Sequence, residues 1–81
     1  MLNLSTKSKL SPEEVVKRAV RFFGPDGYGL EVTEQDKCCG QFEGGGGGVR
    51  VMASTEKNGS TVDIESREWD YQVKEFIDKI K

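Results

Sequence analysis

The segments "VRVMAS" and "STVDIE" are separated by the short polar stretch Thr55-Glu56-Lys57-Asn58-Gly59, and both alternate. Val49, Val51 and Ala53 recur with a period of two, as do Val62 and Ile64, while Arg50, Asp63 and Glu65 fall between them. A period of two places the first set on one face of a sheet and the second set on the other. Asn-Gly between two such runs is the strongest short-range hairpin signal. The chain therefore contains an antiparallel hairpin with one apolar face, and the rest of the sequence has to cover that face.

Two segments have the period to do so. In "SPEEVVKRAVRFFG", Val16, Ala19, Val20 and Phe23 share one helical face, flanked by Val15 and Phe22. Ser11 fits the N-cap, Pro12 the first helical position and Glu14 the capping-box position, and Gly24-Pro25 ends the run. In "SREWDYQVKEFIDKIK", Trp69, Val73, Phe76, Ile77 and Ile80 form a wide apolar stripe. Ser66 is read as its cap, with Glu68 and Asp70 in the first turn and Lys79 and Lys81 at the end, as the helix dipole favours. Two further strands are predicted. "YGLEVTE" has Tyr28, Leu30 and Val32 inward, and "CCGQFE" has Cys38, Gly40 and Phe42 on one face.

The expected fold is α+β: a two-layer sandwich with an N-terminal helix, a three- or four-stranded antiparallel meander and a C-terminal helix, both helices on one sheet face. Residues 1–9 read as a poorly ordered lead-in and residues 10–81 as a single domain. Trp69, Phe76 and Ile80 are expected to be buried against Leu30, Val51 and Ile64.

Composition narrows the function. The chain has 81 residues, enough for one core and little room for a deep cavity, since a domain of this size buries only about 60% of its chain surface. The net charge is −2 and the sequence pI is about 5.1. Phosphate backbones and anionic lipid surfaces both select concentrated basic faces, so nucleic acid and membrane are not expected partners. No apolar run has the length of a membrane span, and "MLNLSTKSKL" lacks the apolar core of a signal peptide. The chain, which starts at Met1, is read as a complete small cytoplasmic protein.

The glycine run at 44–48 raises three readings. A phosphate cradle presents backbone N–H groups at the start of a helix and carries a Lys and a Ser or Thr at fixed positions; here Val49-Arg50-Val51, a strand, follows instead. A flexible hairpin connection, with Phe42 and Val49 on neighbouring strands, is the favoured reading. A long bent strand that admits close approach of a helix or partner backbone is the third.

Cys38-Cys39 lacks chelate spacing, and the chain has no histidine. Adjacent strand residues point to opposite faces, so one buried and one exposed thiol are expected, with a redox or inter-chain role for Cys39 as the alternative. No carboxylate pair or serine sits beside a base in a recognisable pattern, and the usual neutral-pH proton shuttle is missing. No catalytic residue, cofactor or metal site is therefore predicted. Trp69 reads as core, Tyr71 as exposed, and Arg67 as a partner for Glu31 or Asp63 on the outer sheet face, or for neither. Cys39, Arg50 and Tyr71 are the candidate interaction surface.

From residue 28 to residue 80, the order of strands followed by a terminal amphipathic helix resembles the helix-grip arrangement of START-like and Bet v 1-like domains, at half the length and with fewer strands. That resemblance implies a helix laid on a curved sheet and an apolar ligand. "FEGGGG" and "REWDY" also resemble a small prokaryotic α+β family, to which no activity attaches. The expected function is a non-catalytic binding or protein-interaction module, with an unidentified protein or a second copy as partner. The alternative is a small apolar-ligand carrier with a reduced helix-grip pocket.

Overall fold

The computed structural model describes residues 2–80. Met1, the first lead-in residue, and Lys81, the last expected helix-end charge, lie outside them. The element order is β1 (Leu2–Ser8), α1 (Pro12–Phe23), β2 (Glu31–Gln35), β3 (Cys39–Gly44), β4 (Gly47–Glu56), β5 (Gly59–Arg67) and α2 (Asp70–Ile80). The strands form one antiparallel sheet in the order β1-β5-β4-β3-β2. The fold is α+β, with five strands rather than three or four. The additional strand is β1: the segment read as a poorly ordered lead-in pairs with β5 from Leu2↔Ser66 to Ser8↔Ser60. Helix α1 carries the chain from that edge of the sheet to β2 at the other.

Both helices lie on one sheet face. Across the sheet, Leu4, Ile64, Val51 and Gly40 form one register row on that face, and Leu2, Ser66, Val49, Phe42 and Val32 form another. Val15, Ala19 and Phe23 of α1 and Val73, Phe76, Ile77 and Ile80 of α2 close onto these rows in a single core. Phe23 lies 5.6 Å from Phe42 and 5.3 Å from Phe76 between ring centroids, so aromatic rings fill the space between sheet and helices. Leu30, Val51, Ile64, Phe76 and Ile80 are all buried, as expected.

The helix ends follow from local chemistry. The Ser11 hydroxyl accepts the Glu14 N–H, Pro12 begins α1, and the Gly24 N–H donates to the Val20 carbonyl. At α2 the sequence reading is corrected. Ser66 is not a cap: it belongs to β5, is fully buried, and its hydroxyl has no hydrogen-bond partner among the described residues. Glu68 is not in the first turn; it has φ 68° and turns the chain from β5 into the helix. Trp69 precedes the helix and accepts the Val73 N–H. Its side chain is only half-buried, because the indole N–H donates to the Gly44 carbonyl (3.0 Å) at the rim of the sheet.

The glycine run forms a hairpin. Gly44 pairs with Gly47, Phe42 pairs with Val49, and Gly45 and Gly46 are the two turn residues, with φ of 59° and 82°. Positive φ at both central positions is the signature of the turn that matches strand twist, and glycine reaches it without steric cost. Gly47 is required for space: a Cβ there would stand 2.0 Å from the Arg67 carbonyl oxygen. The β4–β5 turn lies one residue earlier than Asn-Gly suggests. Its central residues are Lys57 and Asn58, Glu56 pairs with Gly59, and the positive φ falls on Gly59.

Candidate interaction surface

Among the described residues, no element covers the sheet face opposite the helices. Its rows are polar: Asn3, Glu65, Arg50, Gln41 and Glu34 lie in one, and Ser5, Asp63, Met52 and Cys39 in the next. A third row reads Arg67, Gly48, Glu43 and Glu31. Because Gly48 has no side chain, this row is interrupted, and a depression of about 250 Å³ opens there between Gln41, Glu43, Arg50, Glu65 and Arg67. The Arg67 guanidinium reaches over it, 3.3 Å from where a Gly48 Cβ would stand. Arg50 faces Glu65 across the strands, and none of Arg50, Arg67, Glu43 and Glu65 makes a side-chain ion pair within 4.0 Å among the described residues. Arg67 thus pairs with neither Glu31 nor Asp63.

The two sheet edges differ. On β2 the register slips between Val32 and Glu34, a bulge, and the exposed carboxylates Glu31 and Glu34 flank it. Bulges and charges of this kind are how edge strands resist further pairing. On β1 the register is unbroken over seven residues, and Lys7 is its one charged side chain. The outward groups follow from one bond. The Ala53 N–H donates to the Cys38 carbonyl, toward β3, so Ala53 is not bonded to its β5 partner Val62. Hydrogen-bonded pairs alternate along an antiparallel ladder. Val62 and its alternates therefore bond to Leu2, Leu4, Thr6 and Ser8, and the N–H and C=O groups of Asn3, Ser5 and Lys7 point away from the sheet. The strand is tied at its end by the Ser8 hydroxyl, which donates to the Ile80 carbonyl.

The three residues singled out from sequence do not form one surface. Cys39 and Arg50 lie in adjacent rows of the open face. Tyr71 is 73% exposed on α2, in the helix layer. It belongs with Tyr28, which is 43% exposed rather than inward, packs edge-on against Trp69 at 5.9 Å, and donates its hydroxyl to Glu75 (2.8 Å). That bond, with the nearby Glu75 charge, raises the Tyr28 pKa. Reasoning from sequence missed β1 and did not bring Arg67 and Gly48 together at the depression on the open face. The alternation of Leu2, Leu4 and Thr6 was a signal for the first.

The thiols also depart from expectation. Cys38 precedes β3, in the β2–β3 turn, so strand alternation does not separate the pair. Cys38 is exposed, Cys39 is half-buried, and their Sγ atoms are 3.0 Å apart. The bond to Cys38, then burial, then the Cys38, Asp36 and Glu34 charges push the Cys39 thiol up to about 11. Among the described residues, no group of three His, Cys, Asp or Glu side chains is placed to hold a metal ion, and no helix is long and apolar enough to cross a membrane.

No family model, no curated protein and no solved structure matches the chain.

Proposed function

We propose that the protein is a small non-catalytic interaction module that engages another polypeptide by strand addition along β1. The observation that carries this reading is the contrast between the edges: β2 is bulged and acidic, whereas β1 presents the backbone groups of Asn3, Ser5 and Lys7 in unbroken register. Strand addition draws affinity from main-chain hydrogen bonds. A second copy is the simplest occupant. Antiparallel pairing centred on Ser5 sets Lys7 opposite Asn3 of the copy and Leu4 opposite Thr6, so no like charges face each other. A cytoplasmic setting fits a chain that carries two free thiols.

Light scattering on the wild type and on Ser5→Pro tests the reading. Proline at this position removes an outward N–H and leaves the bonds to β5 in place. The expected result is a concentration-dependent dimer that Ser5→Pro converts to a folded monomer. A wild type that stays monomeric at every concentration removes the second copy as occupant, and a dimer that Ser5→Pro leaves intact removes the β1 edge.

A second reading, an apolar-ligand carrier, is favoured by a groove of about 320 Å³ between the helices, where Arg18, Arg21 and Lys79 surround a floor of Phe22, Phe76 and Ile80. That chemistry suits an amphipathic carboxylate. A fluorescent fatty acid that binds the wild type and not Arg18→Glu/Arg21→Glu would support it; equal binding to both would discard the groove.

A further inference from the structure

We propose that Cys38 and Cys39 are a peroxide-sensitive modification site that closes reversibly to an intramolecular disulfide. The inference rests on placement. The two sulfurs are 3.0 Å apart, and a disulfide bond is about 2.05 Å, so closure needs a movement of about 1 Å. The backbone on either side is held: the Cys38 carbonyl accepts from Ala53 and the Cys39 carbonyl from Asp36, each at 2.8 Å. The sulfurs therefore face each other at a defined place, where the β2–β3 turn enters β3. Cys38 is exposed, which gives an oxidant access, and Cys39 is half-buried beside it. This is the arrangement of an attacking and a resolving thiol. The raised pKa of Cys39 agrees with its being the second to react.

The step balances with hydrogen peroxide as oxidant. The Cys38 thiolate attacks one peroxide oxygen; an S–O bond forms, the O–O bond breaks, and the departing hydroxide takes a proton to become water. The Cys39 sulfur then attacks the Cys38 sulfenic sulfur. An S–S bond forms, the S–O bond breaks, and the hydroxide leaves as a second water with the Cys39 proton. Two thiols have lost two electrons and two protons, and one peroxide has become two waters. Adjacent Cα atoms are about 3.8 Å apart, below the usual span of bridged cysteines, so the product is a strained disulfide of the readily reduced kind. Thiolate exchange with a small dithiol returns it to the starting state. The site lies beside β2 and across the sheet from β1, so it stands independently of the strand-addition reading.

The test is intact-mass analysis of the full chain after one equivalent of hydrogen peroxide, followed by alkylation without reductant. The expected product is monomeric, has lost two hydrogens, takes up no alkylating reagent, and recovers two alkylatable thiols on treatment with dithiothreitol. In Cys39→Ser the reaction stops at a sulfenic acid on Cys38 that dimedone traps. In Cys38→Ser the peroxide reaction is at least tenfold slower. Disulfide-linked dimers, oxidation of one cysteine to sulfinic acid with the other still alkylatable, or two unreacted thiols would each overturn the proposal.

Discussion

Alanine substitution along the glycine hairpin should give unequal costs, although neighbouring residues are changed in the same way. At Gly46 an added Cβ meets nothing within 4 Å, and the only obstacle is a φ of 82°. A non-glycine residue in that region costs about 1–2 kcal/mol, and asparagine less, because it tolerates the conformation. At Gly47 the Cβ would stand 2.0 Å from the Arg67 carbonyl oxygen and 2.8 Å from both the Arg67 carbonyl carbon and the Glu68 Cβ. Those are backbone atoms and a side-chain base in the β5–α2 connection, where Glu68 already holds a positive φ. Neither side can yield by rotating a side chain. The cost should reach about 3 kcal/mol, the upper part of the usual overpacking range. A domain of this size has a total stability of about 4–12 kcal/mol, and each kcal/mol moves Tm by about 4–8 °C. Thermal melts should therefore rank wild type, Gly46→Asn, Gly46→Ala and Gly47→Ala in falling order, with Gly47→Ala about 4–16 °C below Gly46→Ala. Gly46→Val should fall below Gly46→Ala, since a β-branched residue is penalised further at positive φ. Equal melting of Gly46→Ala and Gly47→Ala would refute the claim that backbone approach, rather than turn conformation, makes Gly47 a glycine.

Two serines on the helix-facing side of the sheet should respond oppositely. Ser8→Ala breaks a buried bond to the Ile80 carbonyl and should cost about 1–2 kcal/mol, whereas Ser66→Ala removes a buried hydroxyl with no partner and should leave denaturant stability equal or higher. Phe76→Ala empties a site in contact with Phe22 and Phe23 and should cost about 3–5 kcal/mol by urea unfolding; a loss below about 1 kcal/mol would contradict its burial. Cys39 holds its proton more tightly when folded than when unfolded, so its contribution to stability is whole below pH 9 and is lost as the pH rises toward 11. Its alkylation should accelerate only across that window, and Cys38→Ala, which removes the largest cause, should move the profile to lower pH.

The two-layer plan was legible because burial on one face leaves a period in the sequence: the Val49, Val51 and Ala53 run and the Val62 and Ile64 run pair as they alternate. What was not legible depended on partners distant in the chain. β1 offers only Leu2 and Leu4 as inward apolar residues before Thr6 and Ser8, a weak signal until β5 is placed beside it. Trp69 lies in phase with the α2 stripe, yet its N–H is drawn to Gly44, and that demand keeps the ring at the rim. The sulfur contact was hidden by one residue of boundary: with Cys38 in the strand the thiols diverge, and with Cys38 in the turn they meet. The depression at Gly48 follows from cross-strand register, because Arg67 and Glu43 become its neighbours only through β5 and β3.

The pairing of β1 with β5 also orders events during synthesis. Among the described elements β1 precedes all others in the chain, and its neighbour in the sheet, β5, is the last of the described strands. Strands β2 to β5 follow one another as local hairpins, and short-range pairings form faster than distant ones. The nascent meander therefore has its β5 edge open while β1 waits on the far side of α1. On a polysome, the β1 of a neighbouring chain competes for that edge with identical register and identical side chains. Fast return of β1 to its own sheet would favour monomers, and slow return on closely spaced ribosomes would favour strand-exchanged pairs.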